Sequence, residues 1–174
     1  MPEPARTYWD AAAWIAYIQK EMPGPDSSFS EPRYEMCRAV LEQAEAGAVE
    51  IVTSAYTLAE VCKKAKDPTS PGMNLPAFFN QRYILLTNVD KEVGLRAQSL
   101  QLAGVGKLSP QDAVHLASAL VANVPVFHTF DDDLLRLDNV LNLDDGNPMR
   151  IVRPTEENPQ TGLFTSWGGA PSGD

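Results

Sequence analysis

The stretch RTYWDAAAWIAYIQKE, residues 6–21, places a short β-prone run, one acid and an apolar helical run in direct succession. The β-prone run is Thr7 to Trp9, and the pattern predicts a helix from Ala11 to about Glu21. Asp10 lies between the two, where a carboxylate near the core is costly to desolvate without a partner. No helix cap accounts for an acid between two apolar runs, so we expect another group to hold Asp10.

Strand-like and helix-like segments alternate along the rest of the chain. Further strands are predicted at 48–53, 82–87, 125–130 and 149–153, and further helices at 30–46, 57–66, 75–81, 90–103, 109–122 and 131–137. Ser30 is expected to cap one helix, which Gly47 ends, and Thr57 is expected to open another. Such alternation favours an α/β fold in which helices cover both faces of a parallel sheet.

The length of 174 residues predicts a single domain with a sizeable core. We expect this domain to occupy residues 1–153. Residues 154–174 are rich in Gly, Pro, Ser and Thr and are predicted to be a flexible C-terminal tail, with Phe164 and Trp167 as its anchors.

The net charge of −9 argues against a broad, sequence-independent grip on nucleic acid, because such a grip relies on a basic surface. It does not exclude a nucleic-acid enzyme whose acids gather at a metal site. No apolar run reaches the ~20 residues of a membrane span, and the N-terminal residues do not have the pattern of a signal peptide. We therefore expect a cytoplasmic protein, with Cys37 and Cys62 as buried free thiols.

Four acids fall at one kind of position, namely the end of a predicted strand or the first turn of a predicted helix: Asp10, Glu60, Asp112 and Asp131. The carboxyl ends of parallel strands share one edge of the sheet, and ligands bind in the crevice there. The pattern therefore predicts that these four carboxylates converge on a small volume.

Structural explanations exist for three of the four acids. Thr57 with Glu60 fits a capping box, as does Ser109 with Asp112, and Asp131 could complement a helix dipole. Taken singly, capping explains Glu60 and Asp112 at least as well as catalysis does. Taken together, converging carboxylates repel one another unless they share protons or a cation. Oxygen ligands without His or Cys suit Mg²⁺ or Mn²⁺, which we expect to hold Asp10.

These residues carry a resemblance to PIN-domain ribonucleases of the kind found in VapC-type toxins. The similar segments are YWDAAAWIAYI, IVTSAYTLAEVCKK, LSPQDAVHLASAL and VFHTFDDDLL, in the order and rough spacing of that family, from Thr7 to about Leu137. The resemblance implies a three-layer α/β/α sandwich with a central parallel β-sheet. It also implies Mg²⁺- or Mn²⁺-dependent hydrolysis of RNA that leaves a 5′-phosphate and a 3′-hydroxyl, and a homodimer.

The same resemblance assigns roles to individual residues. The catalytic and metal-binding acids would be Asp10, Glu60, Asp112 and Asp131, with Asp133 as an auxiliary metal ligand. The Thr129 hydroxyl, two residues before Asp131, would orient that loop and the substrate. His115, one turn after Asp112, is interpreted as a packed or surface residue and not as a ligand.

Lys63 and Lys64 follow Glu60 within one helical turn and are candidate contacts to the RNA backbone. It is equally consistent with the sequence that they are ordinary solvent-exposed residues of the helix. Lys66, Arg6, Arg82 and Lys107 are further candidates. The resemblance to toxins predicts a cognate antitoxin protein as a partner.

Two other functions compete with this interpretation. A PIN-like module without catalysis, acting through a protein partner, would not need acids at all four matched positions. A phosphotransfer domain of the haloacid-dehalogenase or receiver type also places acids at strand ends. The first type requires a second Asp where this chain has Ala12, and the second requires a lysine on a late strand, which PVFHTF does not contain.

Overall fold

The computed structural model describes residues 4–64 and 75–154, and five strands in this part of the chain form one sheet. The strands are β1 (Ala5–Trp9), β2 (Val49–Ser54), β3 (Ile84–Thr87), β4 (Val126–His128) and β5 (Arg150–Val152). All neighbouring strands are parallel, in the order β3-β2-β1-β4-β5. The strand that ends before Asp10 is therefore the central one, with β2 and β4 on either side.

Helices cover both faces of this sheet. They are α1 (Ala11–Ile18), α2 (Arg33–Glu45), α3 (Ala55–Lys64), α4 (Leu75–Phe79), α5 (Lys91–Leu102), α6 (Pro110–Val121) and α7 (Asp132–Leu135). Successive strand residues point to opposite faces: Tyr8 belongs to the apolar cluster that includes Val93 and Leu116, and Trp9 to the cluster that includes Trp14 and Val40. The predicted three-layer α/β/α sandwich around a parallel sheet is confirmed.

Two of the predicted helix starts are wrong. The second helix begins at Arg33, and Pro32 occupies its N-cap position without a side-chain cap bond, so Ser30 does not cap it. Its end is as predicted, because Gly47 follows it with φ +80°. Helix α3 begins at Ala55, directly after β2, so Thr57 lies inside the helix, where its buried hydroxyl is 2.9 Å from Thr53 Oγ1 of β2.

The two cysteines differ in burial. Cys37 is a buried free thiol as predicted, and its Sγ donates to the Ala13 carbonyl, whereas Cys62 is free but exposed, so that prediction is wrong. Val61, the residue before Cys62, faces the core, and adjacent residues of a helix point in different directions, so Cys62 faces solvent. Residues 155–174 lie outside the described part of the chain, so the division into a domain and a tail, with its anchors, stays a prediction. Among the described residues, no helix combines the length and apolar character that crossing a membrane requires.

His128 of β4 makes folding sensitive to acid. It is buried, and the indole Nε1 of Trp9 donates to its Nδ1 at 3.1 Å. Burial lowers the pKa of His128 from 6.5 to about 3. Between these values the unfolded chain binds a proton that the folded chain does not, so stability falls as the pH falls through this range.

We expect this histidine to reduce the free energy of unfolding by about 2 kcal/mol between pH 7 and pH 5. Urea unfolding of the wild type and of His128→Gln at both pH values measures this term. The glutamine keeps an acceptor for Trp9 but does not titrate. Equal pH dependence in the two proteins would contradict the prediction.

Candidate active site at the carboxyl edge of the sheet

Asp10 is the first residue after the central strand and is also the N-cap of α1. Its Oδ1 accepts a hydrogen bond from the Ala13 amide at 2.9 Å, and its Oδ2 accepts one from Thr129 Oγ1 at 2.5 Å. Only 4% of the residue is exposed. The expectation that no cap explains Asp10 is wrong, because α1 begins directly after β1 and its first turn needs an acceptor.

Thr129 joins Asp10 to the segment that follows β4. Its buried hydroxyl donates to Asp10 and accepts a hydrogen bond from the Asp131 amide at 3.0 Å. Asp131 in turn caps α7, with Oδ1 accepting from the amides of Asp133 and Leu134 at 2.8 and 3.4 Å. One hydroxyl therefore fixes two acids from neighbouring strands relative to each other.

Glu60 is held by a histidine and not by a capping box. His115 Nε2 lies 2.6 Å from Glu60 Oε2, and its Nδ1 lies 2.9 Å from the Tyr8 hydroxyl. The capping box predicted for Thr57 and Glu60 is wrong, because α3 begins two residues earlier than Thr57. His115 is buried, and sequence reasoning gave it no functional role. The signal was its spacing, since a residue three positions after Asp112 lies on the same face of α6.

Asp112 does form the predicted capping box. Its Oδ2 accepts from the Ser109 amide at 3.1 Å and from the Ser109 hydroxyl at 2.6 Å, while the Asp112 amide donates to Ser109 Oγ. Pro110 occupies the first position of α6. The structural explanation thus holds for Asp112, and its carboxylate also faces the cleft described next.

The four acids line one cleft of about 290 Å³. Its lining residues are Asp10, Ala11, Ala12, Tyr56, Glu60, Ser109, Gln111, Asp112, His115 and Asp131. The acids come from four separate parts of the chain, and the parallel order β2-β1-β4 gathers three of their elements at one edge. Tyr56 and Gln111 also line the cleft, and the sequence had not suggested them.

Asp133 and Arg6, also predicted for the site, do not line the cleft. Asp133 is exposed, its carboxylate accepts from Arg136 Nη1, and it is not among the residues that line the cleft. Arg6 pairs with Glu50 at 3.0 Å. Lys63 and Lys64 end helix α3, one turn after Glu60, and their side chains lie outside the described part of the structure.

The electrostatics of the cleft disfavour additional negative charge. Burial raises the pKa of Asp10 above its usual range, and Asp131 raises it further, while His115, the Thr129 hydroxyl and the Ala13 amide lower it. Asp10 and Asp131 are therefore close enough to repel each other. A cation in the cleft would relieve both the burial cost and the repulsion.

The side chains that line the cleft have the chemistry that a hard divalent cation prefers, since they include four carboxylates and no thiol. Within residues 4–64 and 75–154, no three acidic, histidine or cysteine side chains stand close enough together to hold an ion as a group. Three of the acids are hydrogen-bonded to their own segment, Asp10 to α1, Asp112 to Ser109 and Asp131 to α7. Glu60 is hydrogen-bonded to His115 of another helix. A carboxylate offers about four acceptor sites, so these bonds leave capacity for an ion.

Comparison with known proteins gives a family match over most of the chain. The sequence model of the PIN domain matches residues 8–140, a range that contains all four acids, Thr129 and His115. Comparison with curated proteins gave no match.

Two solved structures are similar in fold. One is a toxin–antitoxin complex from Klebsiella pneumoniae, with a TM-score of 0.52 and 18% identity over 74% of this chain and 89% of that chain. The other is Mycobacterium tuberculosis VapC20, described as a sarcin–ricin loop cleaving toxin. It has a TM-score of 0.51 and 14% identity over 73% of this chain and 91% of that chain. At these identities the likeness is one of fold.

Proposed function

This chain belongs to the PIN domain family, and from that premise we propose that it is a divalent-metal-dependent endoribonuclease that hydrolyses RNA phosphodiester bonds. The observation that carries the proposal is the cleft at the carboxyl edge of the sheet, where four acids from distant parts of the chain meet. A module that acts only by binding a partner has no need of this arrangement.

The residues of the cleft hold their carboxylates in fixed positions before substrate arrives. Thr129 fixes Asp10 and the start of the Asp131 segment, His115 fixes Glu60, and Ser109 fixes Asp112. Side chains fixed in this way need little reorganisation during the reaction, which is how active sites favour developing charge. Asp10 is buried, and the low dielectric constant of its surroundings strengthens its electrostatic interactions.

Mg²⁺ or Mn²⁺ would be held by Asp10, Glu60, Asp112 and Asp131, whereas Asp133, which pairs with Arg136 outside the cleft, is not needed as a ligand. When bound, such an ion lowers the pKa of a water and stabilises charge on the phosphate oxygens. The arrangement requires no nucleophilic side chain, and we propose products with a 5′-phosphate and a 3′-hydroxyl.

RNA must approach a chain of net charge −9. We propose that Lys63 and Lys64, one turn after Glu60 on α3, contact the phosphate backbone beside the cleft. With 14 Lys and Arg residues against 23 acids, non-specific binding should be weak, and recognition should depend on the shape of the RNA.

We also propose that the protein is a homodimeric toxin that acts on cytoplasmic RNA and is neutralised by an antitoxin. The toxin role and the antitoxin are supported by the likeness in fold to a toxin–antitoxin complex and to an RNA-cleaving toxin. Expression of the chain with and without the small reading frame beside its gene tests this role. Equal growth arrest in both cultures would contradict the antitoxin and leave the nuclease untouched.

The nuclease itself is tested with purified protein and a panel of transfer and ribosomal RNAs that includes a sarcin–ricin loop fragment. We expect cleavage with Mg²⁺ or Mn²⁺, no cleavage with a chelator, and at least about a hundredfold loss in Glu60→Gln, because one cation ligand is lost. The control is Asp144→Asn, an exposed acid that does not line the cleft.

The control should cleave like the wild type. Cleavage that persists in chelator, or that is equal in Glu60→Gln and wild type, would contradict the proposal. Failure of the wild-type protein to cut any RNA of the panel would favour the partner-binding alternative.

A further inference from the structure

A chain of three buried polar side chains runs from the central strand into the cleft. The Tyr8 hydroxyl of β1 lies 2.9 Å from His115 Nδ1 on α6, and His115 Nε2 lies 2.6 Å from Glu60 Oε2 on α3. Three elements that are far apart in sequence therefore meet at the imidazole. Both ring nitrogens have a partner, so rotation of the ring would break two hydrogen bonds.

All three side chains are buried, so the loss of either hydrogen bond would be costly. Tyr8 is 0% exposed, His115 3% and Glu60 9%. A buried carboxylate without a hydrogen-bond donor is strongly disfavoured, and charge-assisted bonds to one are short and strong. The His115 bond therefore has a large influence on where the Glu60 carboxylate lies.

The Tyr8 hydroxyl determines which ring nitrogen of His115 can donate a hydrogen bond to Glu60. Burial raises the pKa of Tyr8 well above its usual value, so the hydroxyl keeps its proton. It can then donate to Nδ1, which in a neutral ring places the ring proton on Nε2, facing Glu60. The bond made by one nitrogen of a histidine sets the proton of the other.

We propose that Tyr8 and His115 form a positioning pair that fixes the Glu60 carboxylate in the cleft. This role rests on the proposed nuclease function, in which Glu60 is one of the acids that hold the cation. Neither Tyr8 nor His115 needs to touch substrate, and both act through Glu60. Loss of such a supporting partner costs roughly 10–100-fold in activity or metal affinity.

The state of the ring is measured directly by NMR of the full chain with histidine labelled in the imidazole nitrogens. The sequence contains two histidines, His115 and His128, so a spectrum of His128→Gln assigns the signals. We expect Nε2 of His115 to carry a hydrogen in the wild type. We also expect Glu60→Gln to shift the Nε2 signal and Tyr8→Phe to shift the Nδ1 signal.

Kinetics separate positioning from a merely structural role. In Tyr8→Phe, which removes one oxygen atom, we expect kcat to fall roughly 10-fold with KM within about threefold of wild type. His115→Leu should lose roughly 100-fold, and His115→Gln, whose amide can donate to Glu60, should recover part of the loss.

An Nε2 without hydrogen, signals that do not respond to Glu60→Gln, or a Tyr8→Phe protein with wild-type kcat would each overturn the positioning pair. If His115→Leu fails to fold, Tyr8→Phe and the spectra decide. A wild-type protein that cleaves no RNA would contradict the proposed function alone, and the spectra would then settle the contacts of Glu60 by themselves.

Discussion

Replacing Asp10 with asparagine is expected to reduce kcat/KM for RNA cleavage at least about a hundredfold while leaving the protein folded. Asp10 faces the cleft from the central strand and is the most deeply buried of the four acids. Its charge would be a main attraction for a cation, and asparagine removes that charge. Stabilisation by a bound cation amounts to several kcal/mol, and each 1.36 kcal/mol corresponds to a tenfold change in rate.

The fold should survive this substitution because asparagine keeps the cap. Its Oδ1 can still accept from the Ala13 amide, and the uncharged side chain avoids the burial cost that raises the pKa of Asp10. Against this, the Thr129 hydroxyl faces an amide nitrogen and loses its acceptor. We expect the free energy of unfolding to change by about 1 kcal/mol or less.

Single-turnover cleavage and urea unfolding of the same preparation measure the two effects together. Asp144→Asn, which removes an exposed acid outside the cleft, controls for the change in net charge. If Asp10→Asn cleaves RNA within about threefold of wild type, the cleft is not the catalytic centre. If it unfolds, Asp10 is primarily a structural cap.

Thr129→Val should affect stability and activity at once. Valine has the shape of threonine without the hydroxyl, so Asp10 Oδ2 loses its donor and the Asp131 amide loses its acceptor. Thr129 is completely buried, and each buried polar group left unpaired costs about 1–3 kcal/mol. We expect the free energy of unfolding to fall by roughly 3 kcal/mol and cleavage to fall roughly 10–100-fold.

The matched control is Thr129→Ser, which keeps the hydroxyl and loses one methyl group, at a cost of about 1 kcal/mol. Urea unfolding and cleavage rates of the three proteins form one series. If the valine variant behaves like the wild type while the serine variant loses stability and activity, the hydroxyl does not hold the two acids together. The packing of the methyl group would then explain Thr129.

The four acids show what could be predicted from the chain alone. Their positions at strand ends or helix starts are local features, and parallel strand order brings such positions to one edge of a sheet. The capping box of Ser109 and Asp112 was predicted for the same reason, because its partners are three residues apart. The similarity to PIN domains, visible in four short segments, matches the range found by the family comparison.

The first residue of a helix was harder to predict than the helix itself, both after a loop, as at α2, and where a strand runs directly into a helix, as at α3. Ser30 and Thr57 have the chemistry of caps, yet α2 begins at Arg33 and α3 at Ala55. At Asp10 the same geometry had the opposite effect, because an acid that looked unexplained is the cap of α1. Sequence patterns locate an element better than they locate its first residue.

The sequence by itself determined the alternation of strands and helices, and with it the parallel sheet and the edge at which the acids collect. Only the tertiary structure decided what holds two of the acids across the fold: Thr129 for Asp10 and His115 for Glu60. These partners are 119 and 55 residues apart along the chain. Local patterns report contacts within a few residues, whereas contacts across the sheet exist only once the whole core has packed.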